Sequence, residues 1–307
     1  MRLAITGATG FVGQAVLDEF LSSSSEAIGH IEVRALTRRA QAPSDGVEWV
    51  SGSLSDTASL NTLVDGVDAV IHIAGLTNTP DPANFEAANV IGTANVIAAM
   101  KKAKCKRLVF VSSLSARKPE LSAYGASKAA AEELVQGSGL SWTVVRPPAV
   151  YGPRDDDMLE LFKTAKWGLV PLPPGGATSI IYVSDLAKLL FTLAAASGHK
   201  KLYEPDDGRE GGWAHQEMAQ AIGKAVGKRS VFAPHLPAGV LSAAAGALKL
   251  IQGDKAKLTA DRVGYMCHPN WVVRSDRKPP ETLWKADVSG EEGFAKTAKW
   301  YRDAGWL

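Results

Sequence analysis

The amino-acid sequence predicts an α/β protein with a doubly wound parallel sheet and a smaller C-terminal lobe. Apolar runs of strand length alternate with amphipathic helical stretches, and a glycine-rich turn directly follows the first run. Strands that alternate with helices form a parallel sheet covered by helices on both faces. After residue 151 the alternation fades, and proline, glycine and tryptophan become frequent, which indicates the second lobe.

The elements of the sheet lie in residues 1–150, which we assign to the first domain. Short apolar runs indicate strands, and apolar residues three and four positions apart indicate helices. The predicted strands are Arg2–Thr6, Glu32–Thr37, Glu48–Val50, Ala69–Ile73, Leu108–Ser112 and Thr143–Arg146. The predicted helices between them are Gly13–Ser22, Ala83–Lys104 and Ala123–Gln136. Residues 151–307 are expected to form most of the second lobe, with a segment at about 180–200 returning to the core of the first domain.

The composition is ordinary for a globular protein, with 46% hydrophobic residues, 21% charged residues and a net charge of +2. This balance predicts neither nucleic acid nor an anionic membrane as a partner. Cys105 and Cys267 have no metal spacing, and reduced thiols are expected rather than a disulfide between them. With no signal peptide and no apolar run long enough to span a bilayer, a cytoplasmic location is expected.

Residues Ala238–Ile251 are the segment that comes nearest to an apolar run long enough to span a bilayer. We interpret this segment as a helix packed on the protein. The alternative is that it lines an apolar pocket or touches lipid.

The glycine-rich turn follows the first predicted strand and opens a helix. Gly7 allows the tight turn, Gly10 lets the backbone approach a pyrophosphate, and Gly13 allows the helix to pack closely on the strand. The free N–H groups of the helix then favour a negative charge. This pattern indicates a dinucleotide site, and the alternative is a structural turn without a ligand.

The end of the second predicted strand indicates which dinucleotide is bound. An acidic residue there would accept hydrogen bonds from the ribose 2′-hydroxyl of NAD. This tip has no acid, and Arg38 and Arg39 could pair with the 2′-phosphate of NADP instead. We therefore favour NADP over NAD. The alternative is that both arginines belong to a solvated loop.

Tyr124 and Lys128 are four residues apart on a predicted helix and therefore lie on one face. The ordinary pKa of tyrosine is near 10, and a neighbouring ammonium group favours the phenolate. The pair could therefore exchange a proton near neutral pH. An exposed helical pair without function is the alternative if the spacing stands alone.

These motifs resemble those of the short-chain dehydrogenase/reductases, especially the extended or atypical branch that includes the NAD-dependent epimerases and dehydratases. The Gly-x-x-Gly-x-x-Gly spacing is typical of this branch. Further segments match its motifs in the same order: Asp68–Gly75, Asn89–Asn95, Arg146–Pro153 and Tyr182–Leu186. The resemblance covers about residues 1–190 and implies a Rossmann fold that binds NAD or NADP.

The sequence departs from the family pattern at two points. Ser53 stands where the family's Gly-Asp-Leu segment has an aspartate near the adenine. The connection from Ser113 to Tyr124 is also shorter than in the sugar-modifying enzymes, which leaves less protein to shape a nucleotide-sugar pocket.

The resemblance implies a role for each site residue. Ser113 would hold the substrate oxygen, with Ser112 or Ser115 as alternatives. Tyr124 would exchange the proton, Lys128 would bind the nicotinamide ribose, and Asn89 would support the site. His72, in the fourth strand, is expected to be a satisfied core histidine. The implied cofactor-binding residues are Gly7, Thr9, Gly10, Phe11, Val12, Gly13, Arg38, Arg39, Ser53, Leu54, Ile73, Ala74, Gly75, Lys128, Pro147 and Val150.

The predicted function is transfer of a hydride between nicotinamide and a carbonyl or hydroxyl carbon, by a reductase or by an epimerase or dehydratase. The expected partner is a small-molecule substrate, with no metal, no nucleic acid and no membrane span. Analogy with the family implies a homodimer. One alternative is a catalytically silent NAD(P)-binding regulator or assembly protein, and another is a binding module for an acidic ligand.

Overall fold

The computed structural model describes residues 1–23, 31–196, 200–253 and 256–307. These residues form two compact units, each assembled from segments that are distant in sequence. The first unit consists of Met1–Arg146, Leu186–Tyr203 and Glu281–Trp284, and the second of Pro147–Asp185, Glu204–Pro280 and Lys285–Leu307.

Strands and helices alternate through the first unit, whereas the strands of the second unit are only two or three residues long. The strands are β1 (Arg2–Thr6), β2 (Glu32–Thr37), β3 (Val47–Ser51), β4 (Ala69–His72), β5 (Arg107–Val111), β6 (Ser141–Val145), β7 (Ala149–Tyr151), β8 (Ala177–Thr178), β9 (Ile180–Tyr182), β10 (Lys201–Tyr203), β11 (Trp213–Ala214) and β12 (Asn270–Trp271). The helices are α1 (Phe11–Ser23), α2 (Thr57–Val64), α3 (Ala83–Phe85), α4 (Gly92–Lys102), α5 (Ala123–Gly137), α6 (Leu159–Lys166), α7 (Val183–Ala195), α8 (His215–Ala225), α9 (Ala238–Gln252), α10 (Ala260–Met266) and α11 (Gly290–Asp303).

The first unit contains a seven-stranded sheet in the order β3-β2-β1-β4-β5-β6-β10. Every neighbouring pair of strands is parallel. Leu3, Ala4 and Ile5 of β1 are at most 1% exposed. Continuous apolar strands of this kind are typical of parallel sheets whose two faces are both covered.

The order of the sheet reverses at β1, because β2 and β3 lie on one side of it and β4 to β6 on the other. Open α/β sheets bind their ligands at the carboxyl ends of the strands where the order reverses. Thr6 ends β1 and pairs with His72, which ends β4. We therefore expect a ligand site at the chain segments that follow these two residues.

Aromatic side chains form the core of the second unit. The ring of Phe294 lies 4.8 Å from that of Tyr151, 6.3 Å from that of Phe162 and 5.6 Å from that of Trp213, measured between centroids. All four side chains are at most 2% exposed. Two small sheets, β7-β9 and β11-β8-β12, belong to the same unit.

The predicted fold class is confirmed, and so is a helix over the apolar segment that becomes α9. Several features differ from the prediction, among them helix α2, Thr57–Val64, which the predicted elements do not include. The expected single helix over Ala83–Lys104 is interrupted by a π-helical turn, Glu86–Ile91. The sheet also has an unpredicted edge strand, β10, whose three residues contain no apolar run. Within the described ranges, no helix combines the length and the apolarity that crossing a bilayer requires.

Candidate active site

The glycine-rich turn connects β1 to α1 and touches the chain after β4. Gly7 has a φ of +77°, and a Cβ added there would lie 2.6 Å from the Ala74 nitrogen. A Cβ at Gly13 would overlap the Gly7 carbonyl oxygen, so α1 packs directly on the turn. A Cβ at Gly10 would meet only that oxygen, at 3.3 Å, and Gly10 is exposed. The turn is closed toward the sheet and open outward, which fits the pyrophosphate of a dinucleotide.

We expect Gly7→Ala to lower the free energy of unfolding by about 3 kcal/mol or more, because backbone overlap adds to the cost of the positive φ. Gly139→Ala is the matched control, since Gly139 has the same φ of +77° but nothing within 4 Å of an added Cβ. The control should lose only about 1–2 kcal/mol. Urea unfolding compares the two variants, and equal losses would contradict close packing of the turn.

His72 connects β1 to α4 in the interior of the first unit. Its Nδ1 lies 2.6 Å from the Thr6 hydroxyl, and its Nε2 lies 3.0 Å from the Thr93 hydroxyl. Burial, assisted by the charge of Lys128, lowers its pKa to about 3, so the ring is neutral at physiological pH. His72 is therefore a satisfied core histidine, as predicted.

Asn89 lies in the π-helical turn and is 1% exposed. Its side chain accepts from the Leu76 N–H at 2.7 Å and donates to the Leu76 carbonyl at 3.0 Å. It also donates to the Ser127 hydroxyl at 2.9 Å. A Cβ at Gly75 would lie 2.7 Å from the Asn89 Oδ1 and 3.7 Å from the Lys128 Nζ. Asn89 thus fixes the segment after β4 close to Lys128.

Lys128 extends from α5 to the end of β5. Its Nζ donates to the Val111 carbonyl at 2.7 Å and lies 4.8 Å from the centroid of the Phe110 ring. The side chain is buried, with 4% exposure. Burial lowers the pKa of the ammonium group to about 8, and the Glu132 carboxylate opposes this shift. The group is therefore positively charged at neutral pH and loses its proton in a slightly alkaline solution.

Tyr124 belongs to the first turn of α5. Its ring packs on that of Phe85, with centroids 5.8 Å apart. Ser122 caps the helix by accepting a hydrogen bond from the Gly125 N–H at 2.9 Å. The cap fixes where α5 begins and therefore which helix face carries Tyr124.

Ser113 follows β5 directly and is half-buried. Its hydroxyl caps the 3₁₀ turn Leu114–Arg117 by accepting from the Ser115 N–H at 3.2 Å. The same hydroxyl contacts the Ser115 hydroxyl at 3.2 Å. These contacts are long, so the oxygen of Ser113 can exchange them for a better partner.

Ser112 has a different role, because it belongs to a buried ion-pair network. Glu132 is 2% exposed, and both its oxygens accept from the Arg146 guanidinium, at 2.8 and 2.6 Å. The Ser112 hydroxyl donates to the same carboxylate. The network joins α5 to the ends of β5 and β6. Glu132 is absent from the sequence prediction, although its spacing of four residues from Lys128 was a signal that could have revealed it.

The tip of β2 carries the two predicted phosphate ligands, Arg38 and Arg39, and both are exposed. The Thr37 hydroxyl donates to the Arg39 carbonyl at 2.6 Å and accepts from the Arg39 N–H at 3.2 Å. A side chain that bonds to backbone two residues ahead fixes a tight turn. The backbone that carries both guanidinium groups is therefore ordered.

The segment after β3 holds the other residues expected near the adenine. The Ser53 hydroxyl lies 2.9 Å from the Ser55 hydroxyl, and the Leu54 carbonyl accepts from Asn95 Nδ2 at 2.8 Å. The Leu54 side chain approaches Gly92 of α4, where an added Cβ would lie 2.8 Å from it. Leu54 thus packs closely against α4.

Comparison with known proteins identifies the family of this chain. Residues 7–164 match the sequence profile of the NAD(P)H-binding family. The ceramide reductase of Caulobacter vibrioides is 32% identical over 316 positions, covering 99% of this chain and 96% of that protein. This chain belongs to the NAD(P)H-binding family of short-chain dehydrogenase/reductases. It is an NAD(P)-dependent oxidoreductase.

This oxidoreductase is also similar to a second reductase and to a solved epimerase structure. The 2-alkyl-3-oxoalkanoate reductase of Stenotrophomonas maltophilia is 28% identical, with 94% of this chain and 88% of that protein covered. The solved structure of the UDP-glucose 4-epimerase from Thermus thermophilus in complex with NAD has a TM-score of 0.71 and 22% identity, covering 99% of this chain and 100% of that chain. At this identity the second likeness shows a common fold.

The oxidoreductase brings together one group of the predicted residues. Gly7 meets Ala74, and Gly75 lies beside both Asn89 and Lys128. Thr9 is exposed on the same turn, and Phe11 and Val12 are half-buried at the start of α1, as is Ile73 directly after β4.

Two of the predicted cofactor-binding residues fall in the second unit. Pro147 and Val150 belong to the second unit, where Val150 pairs with Ile181 in the β7-β9 sheet. In the described part of the chain, no group of His, Cys, Asp or Glu has the arrangement of a metal site, and Cys105 and Cys267 are free thiols.

Proposed function

We propose that this oxidoreductase reduces the carbonyl group of a substrate that carries a long alkyl chain, with NADPH as the preferred cofactor. The observation that carries the proposal is the buried ammonium group of Lys128, four residues after Tyr124 and beside Gly75, which follows β4 by three residues. Two relatives that cover nearly the whole chain support the substrate class. One is a ceramide reductase and the other a 2-alkyl-3-oxoalkanoate reductase.

The chemistry requires one proton donor and one group that stabilises the charge left behind. When bound, NADPH supplies the hydride that adds to the carbonyl carbon. Tyr124 donates its hydroxyl proton to the carbonyl oxygen, which completes the alcohol. The charge of Lys128 stabilises the phenolate that remains, and Ser113 donates a hydrogen bond that orients the carbonyl oxygen. Asn89 acts as a positioning residue, because it holds the segment beside Lys128.

The substrate class can be tested with 3-oxo acids or esters of increasing alkyl length. We expect NADPH consumption to match alcohol formation one for one. Because each buried methylene contributes about 0.8 kcal/mol, kcat/KM should rise about fourfold per methylene while the chain still contacts protein. UDP-glucose is the comparison substrate. Epimerisation of UDP-glucose in the presence of NAD⁺ or NADP⁺, together with no turnover of alkyl ketones by NADPH, would refute the proposal.

The cofactor preference depends on the tip of β2. We expect Arg38→Ser combined with Arg39→Ser to raise the Kd for NADPH at least about tenfold, because charge-assisted hydrogen bonds to the 2′-phosphate are lost. The Kd for NADH should change less than about twofold, since NADH has no such phosphate. Fluorescence titration with both dinucleotides measures the two constants.

The control for this prediction is Lys102→Ser, which removes an exposed cation from the far end of α4. It should leave both dissociation constants unchanged. If the arginine variant weakens NADPH and NADH equally, the two guanidinium groups do not select the cofactor.

A further inference from the structure

The second unit exposes three large apolar side chains next to one another. Trp167 is 88% exposed, Phe232 is 70% exposed and Leu169 is 40% exposed. Leu169 and Phe232 form a parallel bridge, and Trp167 lies two residues before Leu169. We call this surface, residues 166–169 and 228–232, the Trp167–Phe232 edge. An apolar surface patch of a few hundred Å² is often a functional contact site.

The backbone of this edge is well ordered, so the exposure does not come from a loose loop. The Val170 N–H donates to the Phe232 carbonyl at 2.9 Å, and the Phe232 N–H donates to the Gly168 carbonyl at 2.8 Å. On the other side, the amide of Gln220 in α8 bonds to both backbone groups of Val231, at 2.9 and 3.1 Å. The two exposed aromatic rings are therefore held outward by a fixed support.

The charges within the two stretches that form the edge have one sign. Lys166, Lys228 and Arg229 are exposed, and the stretches 165–170 and 226–233 contain no Asp or Glu. The net charge of +2 for the whole chain conceals this local concentration. Aromatic side chains flanked by Lys and Arg match the boundary of a bilayer, where the rings enter the headgroup region and the cations meet anionic lipids.

We propose that the Trp167–Phe232 edge docks on the surface of a bilayer that contains anionic lipids. A second copy of the chain is the weaker occupant for two reasons. The three apolar side chains expose on the order of 400 Å², whereas a stable protein interface needs about 800 Å² per partner. A symmetric contact would also place the three cations of one copy against those of the other. A bilayer needs no closed interface and supplies the opposite charge.

The test is co-sedimentation of the full chain with vesicles. We expect binding to vesicles of phosphatidylcholine with about 30% phosphatidylserine and little binding to pure phosphatidylcholine, with a loss as NaCl rises from about 0.1 to about 0.5 M. Trp167→Ser combined with Phe232→Ser should lower the partition coefficient at least about tenfold. Lys228→Glu combined with Arg229→Glu should lower it to a similar extent.

Two matched variants serve as controls. Lys101→Glu combined with Lys102→Glu makes the same charge change on exposed positions of α4, and Leu250→Ser combined with Ile251→Ser removes exposed apolar groups from α9. Both should bind as the unchanged protein does. Circular dichroism and NADPH affinity show that each variant is folded.

Three results would overturn the proposal. The first is absence of binding to phosphatidylserine vesicles, and the second is loss of binding in the α9 variant but not in the edge variant. The third is sedimentation of the protein as a dimer that the edge variant dissociates, together with no binding of the protein to vesicles. The readout involves no turnover, so its outcome is separate from that of the function proposed above.

Discussion

Tyr124→Phe is expected to lower kcat for carbonyl reduction by about 10³-fold. In the proposed reaction the hydroxyl of Tyr124 donates a proton to the carbonyl oxygen, and general acid catalysis contributes about 10²–10⁴-fold in rate. The phenyl ring keeps its packing on Phe85, where the ring centroids lie 5.8 Å apart, so the fold and the cofactor affinity should be preserved. Steady-state kinetics with NADPH and an alkyl ketone measure the loss.

Tyr203→Phe is the matched control for this variant. Tyr203 lies in the same unit, on the edge strand β10, and is half-buried. Its loss of a hydroxyl should leave kcat within about twofold of the unchanged protein. If Tyr124→Phe retains more than a tenth of the activity, another group donates the proton.

Lys128→Met is expected to lower kcat by about 10²-fold or more and to change how stability depends on pH. The loss of rate follows because the phenolate of Tyr124 would lose the neighbouring positive charge that stabilises it. In the unchanged protein, kcat for reduction should fall as pH rises through about 8, where Lys128 loses its proton. The kcat of Lys128→Met should not show this fall.

The sign of the stability effect follows from the two pKa values of Lys128, about 8 in the folded protein and 10.5 as the ordinary value. Between them the unfolded chain binds the proton and the folded protein does not, so stability rises with pH by about 1.4 kcal/mol per pH unit. Below pH 8 both states are protonated, and the full cost of burying the charge remains. The variant should lack the rise between pH 8 and 10.5.

Urea unfolding of both proteins across this pH range gives the comparison. Lys102→Met removes an exposed lysine and should preserve the rise in stability. Parallel stability curves for the unchanged protein and Lys128→Met would mean that burial does not shift this ammonium group.

The sequence predicts the central sheet well because its strands are apolar runs with a clear beginning and end. Ile5 of β1 and Ile71 of β4 are at most 1% exposed, which is the burial that such runs require. Strand β10 escapes prediction, because Lys201 is exposed and the strand depends on pairing with distant residues of β6.

The site is predictable only in part, because spacing determines which residues share a face but not which partners they meet. The spacing of Tyr124 and Lys128 predicts their common face. The choice between Ser112 and Ser113 depends on Glu132, because its carboxylate accepts a hydrogen bond from the Ser112 hydroxyl. The role of Asn89 in holding the Leu76 backbone depends on a contact between segments that no local pattern encodes.

The π-helical turn at Glu86–Ile91 changes the angular phase of the helix that contains it. An α-helix advances about 100° per residue, so one additional residue in a single wide turn rotates all that follows by about that angle. Asn89 can therefore aim at the backbone after β4 while Gly92, one turn later, receives the side chain of Leu54. A regular helix of the same sequence would lose one of these two contacts. The wide turn therefore allows one helical segment to make both.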